Sequence, residues 1–307
     1  MLSRIAESMF WIGRYVERAE DTARILDVQT QLILEESGID ERETCRMLMS
    51  IMGADLEPED DVDVTTVLRQ LAYNPESPTS IATALGAARE SARRARETLS
   101  VPMWEAINTT YRAIPSGQFR STRPPMVFQW VRERAALING TADATMTRDE
   151  GWQFLMLGRC IERADMTSRL VATAAVSTGS PWTSTLRACG AYEAFLRTYR
   201  GLETERAAAE FLLLDRLFPR SVVFSLNRAE QCLDNLESSQ RAGFQNDAQR
   251  QLGRMRAELE YRSLSDLMTD LPQEMERLQL AIATATEAVT RRYFAGSEAL
   301  AWQGIQG

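Results

Sequence analysis

Apolar and polar residues follow one another along the chain with the spacing of amphipathic helices. Apolar positions recur every three or four residues, and no segment alternates β-branched with polar residues between hairpin turns. The pattern predicts an all-α fold of roughly ten helices packed as bundles. The longest predicted helix runs from about Ser3 to Glu35 and stops at Gly38. The other predicted helices cover residues 41–52, 64–73, 81–99, 103–113, 126–147, 158–169, 183–199, 244–261 and 272–294.

One charged segment occurs twice. Residues 12–25 and 157–170 match in register at Gly, Arg, Glu, Arg, Ala, an acidic residue, Thr and Arg. Such agreement at charged positions indicates an internal duplication. Cys189 follows Cys45, and Ser221 follows Ser80, at similar offsets, and each serine precedes a helix that it can cap.

The duplication predicts two packed halves. We expect a pseudo-twofold bundle with the two Glu-Arg helices at its centre and both repeats packed as one unit. The predicted divisions are 1–114 for the first repeat, 115–148 for a loop and bridging helix, 149–294 for the second repeat and 295–307 for a frayed tail.

The charges of each copy fall on one face of its helix, opposite a broad apolar face. Each copy also places a glycine, Gly13 or Gly158, within the charged stripe, where glycine costs about 1 kcal/mol relative to alanine. A glycine at such a position marks a close approach by a backbone or a ligand. Three interpretations stay open: a solvated surface, a buried Arg–Glu network, and an anion-binding cleft. The candidate residues are Arg14, Glu17, Arg18, Arg24, Arg159, Glu162, Arg163, Arg169 and Arg220.

The residue types that the chain lacks restrict its chemistry. It contains no histidine and no lysine, so all 35 basic residues are arginine. Nucleophiles activated by histidine, lysine Schiff bases, Walker lysines and imidazole metal sites are therefore excluded within this chain. We assign no catalytic residue, metal site or cofactor, and we expect that any catalysis resides in a partner.

The lack of a signal peptide and of a membrane-spanning stretch in the sequence predicts a cytoplasmic protein. The net charge of −8 argues against binding to nucleic acid or to an anionic membrane. The first residues lack the apolar core of a signal peptide, and no apolar stretch reaches the length of a membrane span. The scattered cysteines are expected to be buried, reduced thiols. They are Cys45, Cys160, Cys189 and Cys232.

The repeated Gly-Arg-x-x-Glu-Arg-Ala pattern resembles the alpha-E family, a bacterial helical domain of unknown function. The resemblance extends to residues 8–20, to Met103-Trp104-Glu105-Ala106-Ile107-Asn108 and to Phe218-Pro219-Arg220-Ser221-Val222. It implies association with a circularly permuted ATP-grasp ligase and with a transglutaminase-like peptidase. The family context therefore suggests a system that forms or modifies peptide or amide bonds.

Three functions follow as hypotheses. The first is an accessory domain of an amide-ligase system, whose Arg-Glu helices could hold a carboxylate or phosphate. The second is a magnesium-dependent helical enzyme that uses Glu17 and Asp21, although Met166 replaces the aspartate in the second copy. The third is a helical scaffold that binds a partner through the apolar face around Trp11.

Overall fold

A computed structural model of the protein describes residues 1–35, 40–54, 61–177, 181–200, 204–237 and 246–294. Across these ranges every regular element is helical, which confirms the predicted all-α class. The helices are α1 (Ser3–Glu35), α2 (Glu41–Ile51), α3 (Val64–Leu68), α4 (Ile81–Arg94), α5 (Val101–Arg112), α6 (Gln118–Ser121), α7 (Pro124–Thr145), α8 (Glu150–Val176), α9 (Pro181–Ala188), α10 (Tyr192–Tyr199), α11 (Glu205–Leu214), α12 (Val222–Glu237), α13 (Asp247–Tyr261), α14 (Leu264–Thr269) and α15 (Leu271–Tyr293), and a π-helical turn, Arg69–Tyr73, continues α3.

Several long helices agree with the predicted ranges, but α8 extends well beyond the predicted 158–169, and the short helices were predicted poorly. The predicted helix over 183–199 is divided into α9 and α10, because Gly190 adopts φ of 61° between them. The predicted loop at 115–125 contains α6, and α11 and α14 were not identified because such short helices give little periodic signal. Three predictions lie outside the described residues: the helix stop at Gly38, the helix start at residue 244 and the frayed tail at 295–307.

One compact unit consists of Met1–Arg14 and the described residues from Thr147 onward. Helices α8, α12, α13 and α15 form a four-helix bundle, in which α8 and α13 each pack against both α12 and α15. The start of α1 joins this bundle through Phe10, whose ring centroid lies 5.5 Å from that of Phe294. The buried core includes Leu157, Ile161, Val171, Leu226, Leu233, Met275 and Ile282.

The other compact unit contains Tyr15–Met146. Helix α5 packs against both α4 and α7, and the π-helical turn after α3 packs against α4. The α1 part of this unit carries Asp27, which lies 3.0 Å from Arg132 of α7. Burial raises the pKa of Asp27, and Arg132 and Arg24 partly oppose that rise. The buried core includes Ile25, Leu26, Leu71, Ile81, Met103 and Phe128.

The same capping geometry occurs before α4 and before α12, as the sequence predicts. Ser80 Oγ accepts the Thr83 amide at 3.0 Å, and Ser221 Oγ accepts the Phe224 amide at 3.1 Å. Each hydroxyl also donates to the carbonyl oxygen six residues earlier, which belongs to Asn74 or to Asp215. Both serine caps are therefore confirmed, and their matching geometry supports the duplication, which itself stays a prediction.

Candidate functional site

The charged helices α1 and α8 cross where their glycines face each other's backbone. A Cβ atom on Gly13 would lie 2.1 Å from the carbonyl oxygen of Leu155, and one on Gly158 would lie 2.0 Å from that of Phe10. Each of these carbonyls precedes the glycine of its own helix by three residues, so the two contacts are equivalent. Any side chain here would force the helices apart, which explains why both copies tolerate the helix cost of glycine.

A buried ion pair lies beside this glycine crossing. Arg14 Nε donates to Glu162 Oε2 at 2.6 Å, and the two side chains are 11% and 1% exposed. The Arg14 guanidinium carbon also lies 5.4 Å from the ring centroid of Trp11. Charges removed from water are stable only when they are paired, so Arg14 and Glu162 stabilise each other. Intrahelical spacing did not identify Glu162 as the partner, because it belongs to the other helix.

Each helix repeats a second ion pair within itself. Arg24 Nη2 lies 2.7 Å from Glu20 Oε1 in α1, and Arg169 Nε lies 3.0 Å from Asp165 Oδ2 in α8. The spacing of four residues is the one that lets helical side chains meet. Arg14, Arg24 and Arg169 therefore each have a carboxylate partner in the chain itself.

The other candidate residues are not on a solvated surface. Glu17, Arg18 and Arg163 are 0%, 6% and 8% exposed. The interpretation of the stripe as a solvated face is therefore wrong, because the side chains of a solvated face would be exposed to water and these are buried. Arg159 and Arg220 are half-buried, and the carbonyl oxygen of Arg220 accepts a hydrogen bond from Thr167 Oγ1 at 2.9 Å.

The cysteines are free thiols in apolar surroundings, as predicted. All four are buried. Burial raises the pKa of Cys45 to about 11 and that of Cys232 to about 12. Nearby Glu41 adds to the rise at Cys45. A thiol with so high a pKa is protonated near neutrality and is a weak nucleophile.

A small apolar cavity of about 210 Å³, which the sequence pattern does not predict, lies in the Tyr15–Met146 unit. None of the candidate charged residues lines it. Its lining residues are Ala113, Gln118, Phe119, Thr122, Met126, Val127, Gln129, Trp130 and Glu133.

Within the described residues, no cluster of three or more potential ligand side chains is arranged to hold a metal ion. None of the described helices is both long and apolar enough to cross a bilayer.

Comparison with known proteins places the chain among uncharacterized relatives. The family model that matches residues 1–294 is Alpha-E, described as a predicted alpha-helical domain with a conserved ER motif. Uncharacterized proteins of Mycobacterium bovis and of two strains of Mycobacterium tuberculosis are each 26% identical to the chain. The alignments cover 77% of this chain but 30% of each relative, so the chain spans about a third of their length. No solved structure matches the chain.

Proposed function

Because the chain belongs to the Alpha-E family, we propose that it is a non-catalytic accessory domain of an ATP-grasp-linked system that forms peptide or amide bonds. The ATP-grasp partner comes from the family resemblance of the sequence. A transglutaminase-like peptidase is the second partner that the same resemblance suggests.

The buried ion pair between Arg14 and Glu162 is the observation that carries the non-catalytic role. In the motif that most resembles an active site, Arg14 pairs with a glutamate of the same chain, Glu162, whose side chain is 1% exposed. A catalytic carboxylate must reach its substrate within hydrogen-bond distance, either directly or through one water molecule. We propose that the Arg-Glu helices hold the fold together and that the ligase supplies the reacting groups.

The length of the relatives supports an accessory role. The alignment occupies 30% of each mycobacterial protein, so most of each relative lies outside the aligned part. Domains that support a neighbouring domain occur both as separate chains and as parts of longer ones.

The magnesium-dependent alternative has less support, because Glu17 and Asp21 are 0% and 5% exposed and hydrated magnesium needs access to water.

Reconstitution with a ligase tests this proposal. The chain would be mixed with a circularly permuted ATP-grasp ligase from the same organism, and complex formation would be measured by sedimentation velocity. ATP consumption would be followed for each protein alone and for the mixture. We expect a defined complex, no ATP consumption by the chain alone, and altered ligase turnover in the mixture. Absence of a complex together with unchanged ligase turnover would contradict the accessory role.

A second experiment separates a structural network from an anion site. Thermal melting would be measured with increasing inorganic phosphate or glutamate for the wild type and for a variant with Arg18→Gln and Arg163→Gln. A structural network predicts that the variant melts at a lower temperature and that anions stabilise neither protein specifically. Specific stabilisation of the wild type by one of these anions, lost in a variant of unchanged stability, would instead favour a binding cleft.

A further inference from the structure

Helices α4 and α5 bring arginines and aromatic rings together in the Tyr15–Met146 unit. The Arg89 guanidinium carbon lies 5.8 Å from the ring centroid of Trp104 and 5.4 Å from that of Tyr111. Arg96, just after α4, lies 5.2 Å from the same Trp104 ring. Asn108 accepts a hydrogen bond from Arg89 Nε at 3.5 Å. Trp104 and Asn108, which belong to a segment that carries the family resemblance, therefore lie beside the arginines of α4 and of the residues just after it.

The guanidinium of Arg89 is held in place but not neutralised. Its side chain is 31% exposed, and its one ion pair among the described residues is with Glu90, at 3.7 Å from Nη1. That distance is too long for a hydrogen bond. Glu90 is instead engaged by Arg93, which donates to it at 2.7, 3.0 and 3.2 Å. The terminal nitrogens of Arg89 have no hydrogen-bond acceptor in the described part of the chain, so they can donate to a ligand.

Helices α12 and α13 hold an arginine in different surroundings. There Arg256 donates from Nε to Glu230 at 2.7 Å, and its Nη1 donates to Glu260 at 2.5 Å. Both glutamates therefore neutralise one arginine between α12 and α13. Aromatic rings surround Arg89, whereas carboxylates surround Arg256. The α4–α5 cluster therefore keeps exposed positive charge in a chain whose net charge is −8.

We propose that Arg89, Arg96 and Trp104 form a binding site for an acidic peptide segment. A guanidinium stacked on a ring keeps its in-plane donors available, and two parallel N–H groups match the two oxygens of a carboxylate. The half-buried rings of Trp104 and Tyr111 provide apolar contact for the rest of the peptide. Charge complementarity selects this occupant, because five arginines and three glutamates lie in residues 86–112. The site does not depend on the proposed ligase.

Fluorescence anisotropy with a fluorescein-labelled oligoglutamate peptide tests the site. We expect the wild type to bind the probe, and we expect Arg89→Gln to weaken binding by about tenfold or more, the loss of one charge-assisted hydrogen bond. Trp104→Leu should also weaken it, because Arg89 and Arg96 lose their shared ring. Arg254→Gln is the matched control, because it also removes one arginine. Arg254 is exposed, lies on α13 away from the α4–α5 cluster, and pairs with Glu258 of the same helix.

The anisotropy measurements either support or contradict the proposed site. Wild-type affinity in Arg254→Gln, with lost affinity in Arg89→Gln at an unchanged melting temperature, supports the site. Equal weakening by both variants would show unspecific charge attraction and would contradict the proposal. Absence of binding by the wild type at physiological salt would contradict it as well. ATP or inorganic phosphate would be added as a competitor. If either displaced the probe at a lower concentration than unlabelled oligoglutamate, the site would be a phosphate or nucleotide site and the proposal would be wrong.

Discussion

Arginine has opposite surroundings at the glycine crossing and at the α4–α5 cluster. At the crossing, Arg14 is 11% exposed and donates to a carboxylate of its own chain. On α4, Arg89 is 31% exposed, stacks on rings and makes one long ion pair. A buried guanidinium needs an internal carboxylate, whereas a half-exposed one can keep its donors for a ligand. The partner of each arginine, more than its place in a recurring motif, indicates whether it serves the fold or a binding site.

Substitutions of the crossing glycines should destabilise the protein more than substitutions of the capping serines or of Glu90. Gly13→Ala or Gly158→Ala places a methyl group about 2 Å from a backbone oxygen of the facing helix, which cannot yield as a side chain can. Overpacking of this kind costs about 1–3 kcal/mol or more, which outweighs the gain of about 1 kcal/mol in helix propensity. Urea unfolding followed by circular dichroism would measure the loss.

Gly140→Ala is the control for these variants. Gly140 lies within α7, and nothing lies within 4 Å of a Cβ atom built there. Alanine should therefore increase the free energy of unfolding by about 0.5–1 kcal/mol through helix propensity alone. If all three variants were equally stabilised, the backbones of α1 and α8 would not be in close contact in solution, and the comparison would fail.

The two serine caps should give a smaller effect that is equal in both halves. Ser80→Ala and Ser221→Ala each remove an acceptor for a helix amide and a donor to a loop carbonyl. Loss of such a cap costs about 1–2 kcal/mol. Chemical denaturation of the two variants should give losses within about 0.5 kcal/mol of each other. Widely different losses would mean that the repeated cap geometry does not reflect equivalent packing.

The smallest effect concerns pH and the α4–α5 cluster. Hydrogen bonding from Arg93 is the main cause that holds the pKa of Glu90 below 4.5. A carboxylate with a lowered pKa in the folded state stabilises the fold above pH 4.5, and this contribution is lost as the pH falls. We expect the urea midpoint of the wild type at pH 7 to be slightly higher than that of Glu90→Gln. The difference between the two midpoints should decrease below pH 4.5. A difference that grew on acidification would contradict this assignment.

The sequence predicted the fold class and several of the long helices, although the helix predicted over 158–169 is only the middle of α8. The ends of α1 agree with the prediction because its apolar stripe continues over many turns. The glycines at 13 and 158 correctly indicated a close approach, because little else justifies their cost within a helix. Short helices such as α14 gave too few turns for periodicity to identify them.

Pairing between helices could not be predicted. The Glu20–Arg24 pair follows the helical spacing rule because both residues lie on one helix, whereas the Arg14–Glu162 pair depends on how two helices cross. The stacking of Arg89 on Trp104 was missed for the same reason. One sequence alone does not show which distant residues meet, and the choice between a surface and a buried network needed three-dimensional packing.

A double-mutant cycle on Arg14 and Glu162 tests the central claim, that the repeated motif holds the fold, most directly. The free energy of unfolding would be measured by urea titration for Arg14→Gln, Glu162→Gln and the double variant. A buried ion pair predicts that each single variant loses about 3–5 kcal/mol, because it removes one partner of a buried charge. The double variant should then lose less than the sum, with a coupling energy of about 1–3 kcal/mol. Single losses below about 0.5 kcal/mol that simply add would contradict the claim.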